Sequence, residues 1–517
     1  MNIRERTVIR NMKGKVLNAL KNTGIVLIHI AVLGLIPLDL YIMNIDEIAA
    51  LVLTIVWLII VNAAFIIRRK KIGRKPGKTG VLLFAALDLI TILIMTAATQ
   101  LNIYWNSDAY RDYAWNEETG NRVLTKEQAL KDYEFAMKYL KKIHPLTLHG
   151  LPADVEAQAE KVRQDIESMD RIAGYEFCRK LAGIYSLLGD GHTNISENYL
   201  EPHYMKHIYE HKTVGDTLVA VNGVTFEEML KQKPGYVSYD TEDYGIRMLK
   251  NRISTLEGLR YLDIDTSGDI IYNYVTKAGD HTDVVVTADD FLVMEEYLDY
   301  EESVTGEDLR SDDGDYDFVS YEIDEEKSLA VFTLDNCTYN RHYREVVEAM
   351  FEEIHEKDIQ NVAVDLRNNS GGSSLVADEF IRYLDVDEIK GWADETRLGP
   401  IYIKSDAKVE KNRKKGYGFS GNIYVITSVY TYSSAIDFAM LIQDNGLGKV
   451  VGEASGNLPA SYGEVSGFLL PESHIYFQIS SKKWHRIDES KENLQILPDI
   501  ECDPDEAYNE ICKDIID

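Results

Sequence analysis

Two adjacent hydroxyls, Ser433-Ser434, lie within GNIYVITSVYTYSSAIDFAMLIQDNG, residues 421 to 446, where one backbone pattern gives way to another. Ile423 to Thr427 is a β-branched and aromatic run of strand length. From Ser434 onward Ala435, Phe438, Ala439, Leu441 and Ile442 recur at helical spacing, and Asn445-Gly446 supplies a stop. A hydroxyl at such a junction stands out of the sheet at the positive end of a helix dipole, where an oxyanion forming beside it is stabilised. Serine is equally the ordinary N-cap of a helix, so the pair needs partners before it means chemistry.

Three other segments offer partners. Leu188-Gly189-Asp190-Gly191-His192-Thr193 sets glycines around a histidine, a tight turn that presents the ring rather than burying it. Asp365-Leu366-Arg367-Asn368-Asn369-Ser370-Gly371-Gly372 leaves a strand and enters a helix, and its glycines let backbone N–H groups turn toward a ligand. That turn suits an anion cradle or half of an oxyanion hole; it lacks the Lys-Ser/Thr ending of a nucleotide-binding loop. Asp488 to Ile500, DESKENLQILPDI, offers a carboxylate to orient a histidine, or is a solvated loop before a terminal strand.

The elements that position these residues fall into blocks. Three apolar stretches, Gly24 to Met43, Ile48 to Ile67 and Val81 to Ala98, each approach the length that crosses a bilayer as helix. Residues 1–78 hold 13 Lys and Arg against 4 Asp and Glu, and the rest of the 517-residue chain holds 42 against 81. The basic residues flank the first span and fill the loop after the second, which by the positive-inside rule puts the amino terminus in the cytoplasm and everything after the third span outside. Tyr104 and Trp105 are expected at the outer interface, and His29, Asn62 and Asp88 are expected to face one another as a polar cluster. The acidic bulk argues against a nucleic-acid partner. Cys178, Cys337, Cys502 and Cys512 have no metal-ligand spacing; Cys502 and Cys512 are close enough in sequence to bond outside the cell or to stay as buried thiols.

After a polar linker, residues 100 to 122, Thr125-Lys126-Glu127-Gln128 reads as a capping box opening a helix, with further helices at Ala153 to Met169 and Tyr175 to Leu188. Val214 to Val224 reads as a hairpin turning at Asn222-Gly223, followed by strands at Ile270 to Val275 and Thr282 to Thr287 and an acidic, solvated loop over 299 to 327. The last third alternates strand and helix: Leu329 to Leu334, Tyr343 to Lys357, Asn361 to Leu366, Leu375 to Leu384, the serine-bearing pair, and Val450 to Gly452. Such alternation makes a layered α/β domain.

In order along the chain stand Gly-Asp-Gly-His-Thr, Gly-Asp-x-Leu-x-x-Val-Asn-Gly, Asp-Leu-Arg-x-Asn-x-Gly-Gly, strand-Ser-Ser-Ala-helix ending Gln-Asp-Asn-Gly, Val-Gly-Glu, and Glu492-Asn493-Leu494-Gln495-Ile496-Leu497-Pro498-Asp499. This order resembles the C-terminal processing (tail-specific) proteases and the tricorn core, over about residues 125 to 505. The resemblance implies a crotonase-like ββα peptidase core with a helical amino-terminal block and a β-rich insert, and it gives residue 434 as the nucleophile, with Ser433 as fallback. It implies His192 as base, with His485 as fallback, and Glu492 as the third member. The oxyanion donors it implies are the N–H groups of Ala435 and of Gly371 or Gly372. Gln495 replaces the family's glycine, and the segment after Val-Gly-Glu, residues 452 to 463, has no lysine, which disfavours a Ser-Lys dyad. The hairpin at 214 to 224 resembles one end of a PDZ module.

The expected organisation is a membrane anchor over 1–99, a linker over 100–122, helical residues 123–200, the β-rich insert 201–327 and the catalytic core 328–517. The expected protein is a membrane-anchored, extracytoplasmic serine endopeptidase acting on peptide or protein chains, needing no metal and no organic cofactor. The competing expectation is a membrane-tethered peptide-binding or sensor protein on the same fold without activity.

Overall fold

The computed structural model describes residues 26–36, 47–71, 78–101, 122–196, 202–206, 217–232, 235–276, 278–305 and 318–516. The basic amino-terminal flank, nine of the 20 residues from Gly24 to Met43, Tyr104, Trp105, and Val214 to Asp216 lie outside these residues. The chain divides into two compact units, Met1–Trp115 with Arg397–Tyr402 and Ser466–Leu469, and the remainder.

In the first unit, α1 (Glu47–Lys71) and α2 (Lys78–Leu101) contain windows long and apolar enough to cross a membrane, Ile48–Ile67 and Gly80–Leu101. Residues 26–36 are helical apart from a turn at Gly34. Here Asp88 gathers the polar side chains: His29 Nε2 lies 2.9 Å from its Oδ1, and Asn62 Nδ2 donates to its Oδ2 at 2.9 Å. Sharing the carboxylate satisfies groups that hydrocarbon would leave unpaired.

The second unit opens with strand β1 (Val123–Thr125) and helix α3 (Lys126–Ile143), whose Thr125–Gln128 capping box is formed reciprocally. Helices α4 (Ala153–Ser168) and α5 (Gly174–Tyr185) complete the helical block and lead into the Asp190–His192 turn and strand β2 (Asn194–Ser196). The insert is a four-stranded antiparallel sheet with helices on it. Its strands β3 (Thr217–Val221) and β4 (Val224–Thr225) meet at Asn222-Gly223, where positive φ at both residues gives the turn that a right-twisted hairpin favours. Helices α6 (Phe226–Gln232) and α7 (Glu242–Arg252) pack Phe226, Met229 and Leu249 against Tyr272 of β5 (Ile270–Val275), which pairs with β6 (His281–Val286). The acidic stretch expected as a loop is instead helix α8 (Met294–Thr305) and, past residue 317, strand β7 (Val319–Asp324). Runs of Glu and Asp on an exposed helical face do not stop a helix.

The core follows as β8 (Leu329–Leu334), α9 (Arg341–Glu356), β9 (Asn361–Asp365), α10 (Leu375–Ile381), β10 (Asn422–Thr427), α11 (Ser434–Asp444), β11 (Lys449–Gly452), the antiparallel strands β12 (Tyr462–Leu469) and β13 (Tyr476–His485), β14 (Ile500–Glu501) and α12 (Ala507–Ile516). The central sheet has the order β7-β8-β9-β10-β11-β14, antiparallel at β7 and parallel from β8 onward. Val364 and Asp365 lie opposite Val425 and Ile426, so β9 and β10 end together and their loops leave the same edge of the sheet. That edge, at the carboxyl ends of parallel strands, is where open α/β sheets hold their ligands.

Helix α11 is held against this sheet by Phe438, Leu441 and Ile442, all fully buried, each burial worth about 2 kcal/mol. Its far end is pinned by Arg486, whose buried guanidinium grips Asp444 through Nε and Nη2 at 2.9 Å and donates to the carbonyls of Leu494 and Gln495. A planar, bidentate pair fixes the helix axis as a single charge could not. The four cysteines are free thiols; Cys502 and Cys512 pack at the edge of a small cluster around Ala507 and Ile511.

Candidate active site

The loops after β9 and β10 are laced together before either reaches a reactive group. Thr431 Oγ1 donates to Leu366 O at 2.9 Å, Tyr432 N to Asn369 O at 3.0 Å, and Asn369 Nδ2 to Leu334 O at 2.7 Å. Ser433 then turns with φ 55° and ψ −128°, a left-handed backbone that a residue with a Cβ adopts only under strain, worth about 1–3 kcal/mol. The sharp turn lifts its side chain off the end of β10 just before α11 begins. Asn457 secures the turn, accepting from Ser433 N at 3.0 Å while its amide donates to Ser461. Asn457 stands in the segment after Val-Gly-Glu that carries no lysine.

The two hydroxyls differ. Ser434 Oγ is 8% exposed as a residue and donates to Gly372 O at 2.8 Å, whereas Ser433 is half-buried and its hydroxyl makes no hydrogen bond among the described residues. Gly371 must be glycine: with φ 104°, a Cβ on it would come within 2.5 Å of Ser433 Cβ and 3.0 Å of Ser434 N. Its N–H is already given to Asn369 Oδ1 at 2.8 Å, and Ala435 N donates to Tyr432 O at 3.2 Å. Two of the three amides expected to meet an oxyanion are therefore engaged. Ser434 N and Gly372 N make no hydrogen bond among the described residues and are the pair left in the residues that line the cavity with Ser433.

His192 shares a cavity of about 660 Å³ with Ser433, Ser434 and Gly372; Asp437, Lys482 and Trp484 are also on its wall. The ring is nearly buried, packs 4.8 Å from the Tyr432 ring between centroids, and has neither nitrogen hydrogen-bonded among the described residues. Its backbone is fixed from two sides: Asp190 Oδ1 accepts from His192 N at 2.9 Å, and Gln478 Nε2 of β13 donates to His192 O at 2.8 Å. Asp190 is also the acid facing the ring, with Oδ1 3.8 Å from Nδ1, and its other oxygen is 3.1 Å from Nε2 of the buried His144. Burial pushes Asp190 up, but the hydrogen bond and charge of His144, with those of His192 and Thr193, overcome it and hold the carboxyl below its ordinary range. Burial lowers the His192 pKa, partly opposed by Asp190, so the ring is neutral near pH 7 and able to accept a proton. Asp437, one turn into α11, is raised to about 7 by burial and by Asp378.

Glu492 is elsewhere. Its Oε1 is 2.7 Å from Nδ1 of His485, its Oε2 accepts from Arg486 N at 2.9 Å, and neither Glu492 nor His485 is on the cavity wall. Of the expected Ser434, His192 and Glu492, the first two line the cavity together, whereas β13 carries His485 to its end and the following turn brings Glu492 back onto it, a local pair closed within the same segment. The residues that do approach His192, namely Asp190, Tyr432 and Gln478, carried no sequence signal beyond the Asp of the glycine turn.

Residues 329–502 match Peptidase family S41. No curated protein matches the sequence. Among solved structures, mature CPAF complexed with lactacystin aligns at 12% identity over 75% of this chain and 97% of its own with a TM-score of 0.53, and mature CPAF at 14% over 75% and 96%, also at 0.53. The photosystem II D1 C-terminal processing protease aligns over 75% of this chain and 96% of its own at 11% identity with a TM-score of 0.42.

Proposed function

We propose, for a chain that belongs to peptidase family S41 through residues 329–502, that it is a membrane-anchored extracytoplasmic serine endopeptidase in which Ser433 is the nucleophile and His192 the general base. The observation that carries this reading is the pairing, in one cavity, of a strained serine with a free hydroxyl and a neutral imidazole with free nitrogens. A serine hydroxyl attacks only as a base withdraws its proton. On this reading Ser433 Oγ attacks the scissile carbonyl while His192 takes the proton. Ser434 N and Gly372 N donate to the oxyanion, and His192 returns the proton to the leaving amine as the C–N bond breaks. Water, deprotonated by the same ring, then frees the acyl group. Ser434 serves as a latch: its bond to Gly372 O holds the 372–373 peptide so that the two donors keep their spacing.

The core is then the ββα arrangement of the crotonase-like folds. Gly24 to Met43 is a third span beside the two apolar helices, and the basic flanks hold the amino terminus in the cytoplasm. Substrates are peptide or protein chains at or outside the membrane.

One experiment tests site and location together: intact cells expressing the full chain are labelled with a membrane-impermeant fluorophosphonate, and the adduct is mapped. An adduct on Ser433, lost in His192→Ala, is expected. An adduct formed only after lysis would overturn the location, and none in either case would overturn the activated serine. In the same assay Glu492→Gln is expected to label at the parent rate, because the carboxylate serves His485 and not the cavity; a large loss would restore Glu492 to the catalytic group.

A further inference from the structure

One carboxylate from the insert reaches both halves of this site. Asp240 lies just before α7, whose N-cap Thr241 donates from Oγ1 to Gly456 O at 2.6 Å, so the segment is tied to the loop bearing Asn457. Asp240 Oδ2 accepts from Tyr432 OH at 2.7 Å and faces Gly191 N at 3.3 Å. Tyr432 precedes Ser433, and Gly191 precedes His192. The fit allows no slack: a Cβ on Gly191 would stand 2.2 Å from Tyr432 OH and 2.8 Å from Asp240 Oδ2. The Tyr432 ring is buried between His192 and Tyr244 of α7, 4.8 Å and 4.2 Å away between centroids.

The geometry points to Asp240 as a positioning residue that holds the nucleophile turn and the histidine turn in register, and so makes the reactivity of Ser433 depend on the insert; this rests on the Ser433–His192 reading. A group that receives two donors on one oxygen works best as the carboxylate. When it takes up a proton its oxygens lose acceptor strength, and the phenol and the amide are released together. The charged and titratable groups facing it are Asp190 from the histidine turn, Tyr432 from the nucleophile turn, and Tyr244 of α7 with Arg247 over that ring. Burial first, and then Asp190, raise the Asp240 carboxyl to about 7, against the Tyr432 and Gly191 hydrogen bonds. Its deprotonation therefore falls above that of His192, and reactivity climbs in two steps as pH rises.

The test uses the full chain in detergent micelles, a fluorophosphonate as probe, and the rate of Ser433 labelling followed from mildly acidic to mildly alkaline pH. Asp240→Asn, which keeps an acceptor but cannot titrate, is expected to lose the upper step and to label about tenfold more slowly at the alkaline plateau, because a small misplacement of base against nucleophile is costly. Asp240→Glu is expected to restore the upper step. Tyr432→Phe keeps the ring on His192 and loses only the hydroxyl; a similar slowing with an unchanged thermal transition is expected, and this variant carries the test if Asp240→Asn fails to fold. Parent rates and the parent pH profile in Asp240→Asn and Tyr432→Phe, with Ser433→Ala silent, would overturn the role of Asp240 and leave the proposed site standing. An adduct that persists in Ser433→Ala and maps to another serine would overturn both.

Discussion

Ser433→Ala is expected to abolish fluorophosphonate labelling and to lower hydrolysis of a fluorescent casein by a factor on the order of 10⁶, the size of loss expected when a serine nucleophile is removed. Ser434→Ala is expected to keep the adduct on Ser433 and lose about tenfold, as befits one supporting hydrogen bond rather than the attacking atom. The contrast follows from the hydrogen bonds: Ser433 lines the cavity and its hydroxyl makes none among the described residues, whereas Ser434 has entered α11 and donates to Gly372 O. Relieving the turn is also expected to reveal its strain. Ser433→Gly, which has no Cβ to oppose a positive φ, should unfold at higher denaturant than Ser433→Ala while both remain inactive. The reverse ranking of the two serines, with labelling lost in Ser434→Ala and kept in Ser433→Ala, would move the nucleophile by one residue.

His192→Gln is expected to cost on the order of 10⁴-fold or more in kcat with the fold retained, because a positioned base and the oxyanion it creates act as a unit. In the parent, activity should rise with pH through a step below 6.5, since burial disfavours the imidazolium. The stability consequence has the same sign. A histidine whose folded pKa is depressed binds fewer protons in the native state than in the unfolded one, so its contribution is present above the unfolded pKa near 6.5 and lost as pH falls below it. His192→Gln should therefore flatten part of the acid side of the unfolding profile as well as remove the step in activity. A variant that keeps both the step and the slope would show that another group titrates there.

The periodic elements were legible in the sequence and the meeting of side chains was not. Leu329–Leu334, Asn361–Asp365 and Asn422–Thr427 are short apolar runs bounded by turns, and α11 shows its buried face in the spacing of Ala435, Phe438, Leu441 and Ile442. Strand β13 was hidden because buried Ser480 and Ser481 interrupt its apolar alternation; the backbone N of Ser480 donates to Thr193 Oγ1 of the histidine turn, and Ser481 Oγ to Glu464 O of β12. The serine pair and the glycine pair each marked a turn that lines the cavity, but which hydroxyl and which amides their own loops leave free is not written in the pattern. Glu492 kept its place in a motif while its partner was decided by a turn of seven residues. Asp240 meets Tyr432 from 192 residues away, which no local pattern carries.

On the proposed reading, the contacts of the histidine turn also set when the site can form. His192 is placed by Gln478, and Thr193 by Ser480, both translated after Ser433, and the last strand of the central sheet, Ile500–Glu501, closes on β11 later still. On the Ser433–His192 reading, a nascent chain that already displays the serine turn has no positioned base until β13 has been made. On that reading, translation order would work as an internal safety catch, holding back the site until β13 has been made. Chains arrested before Gln478 should carry an unlabelled Ser433, and chains released after Glu501 a labelled one.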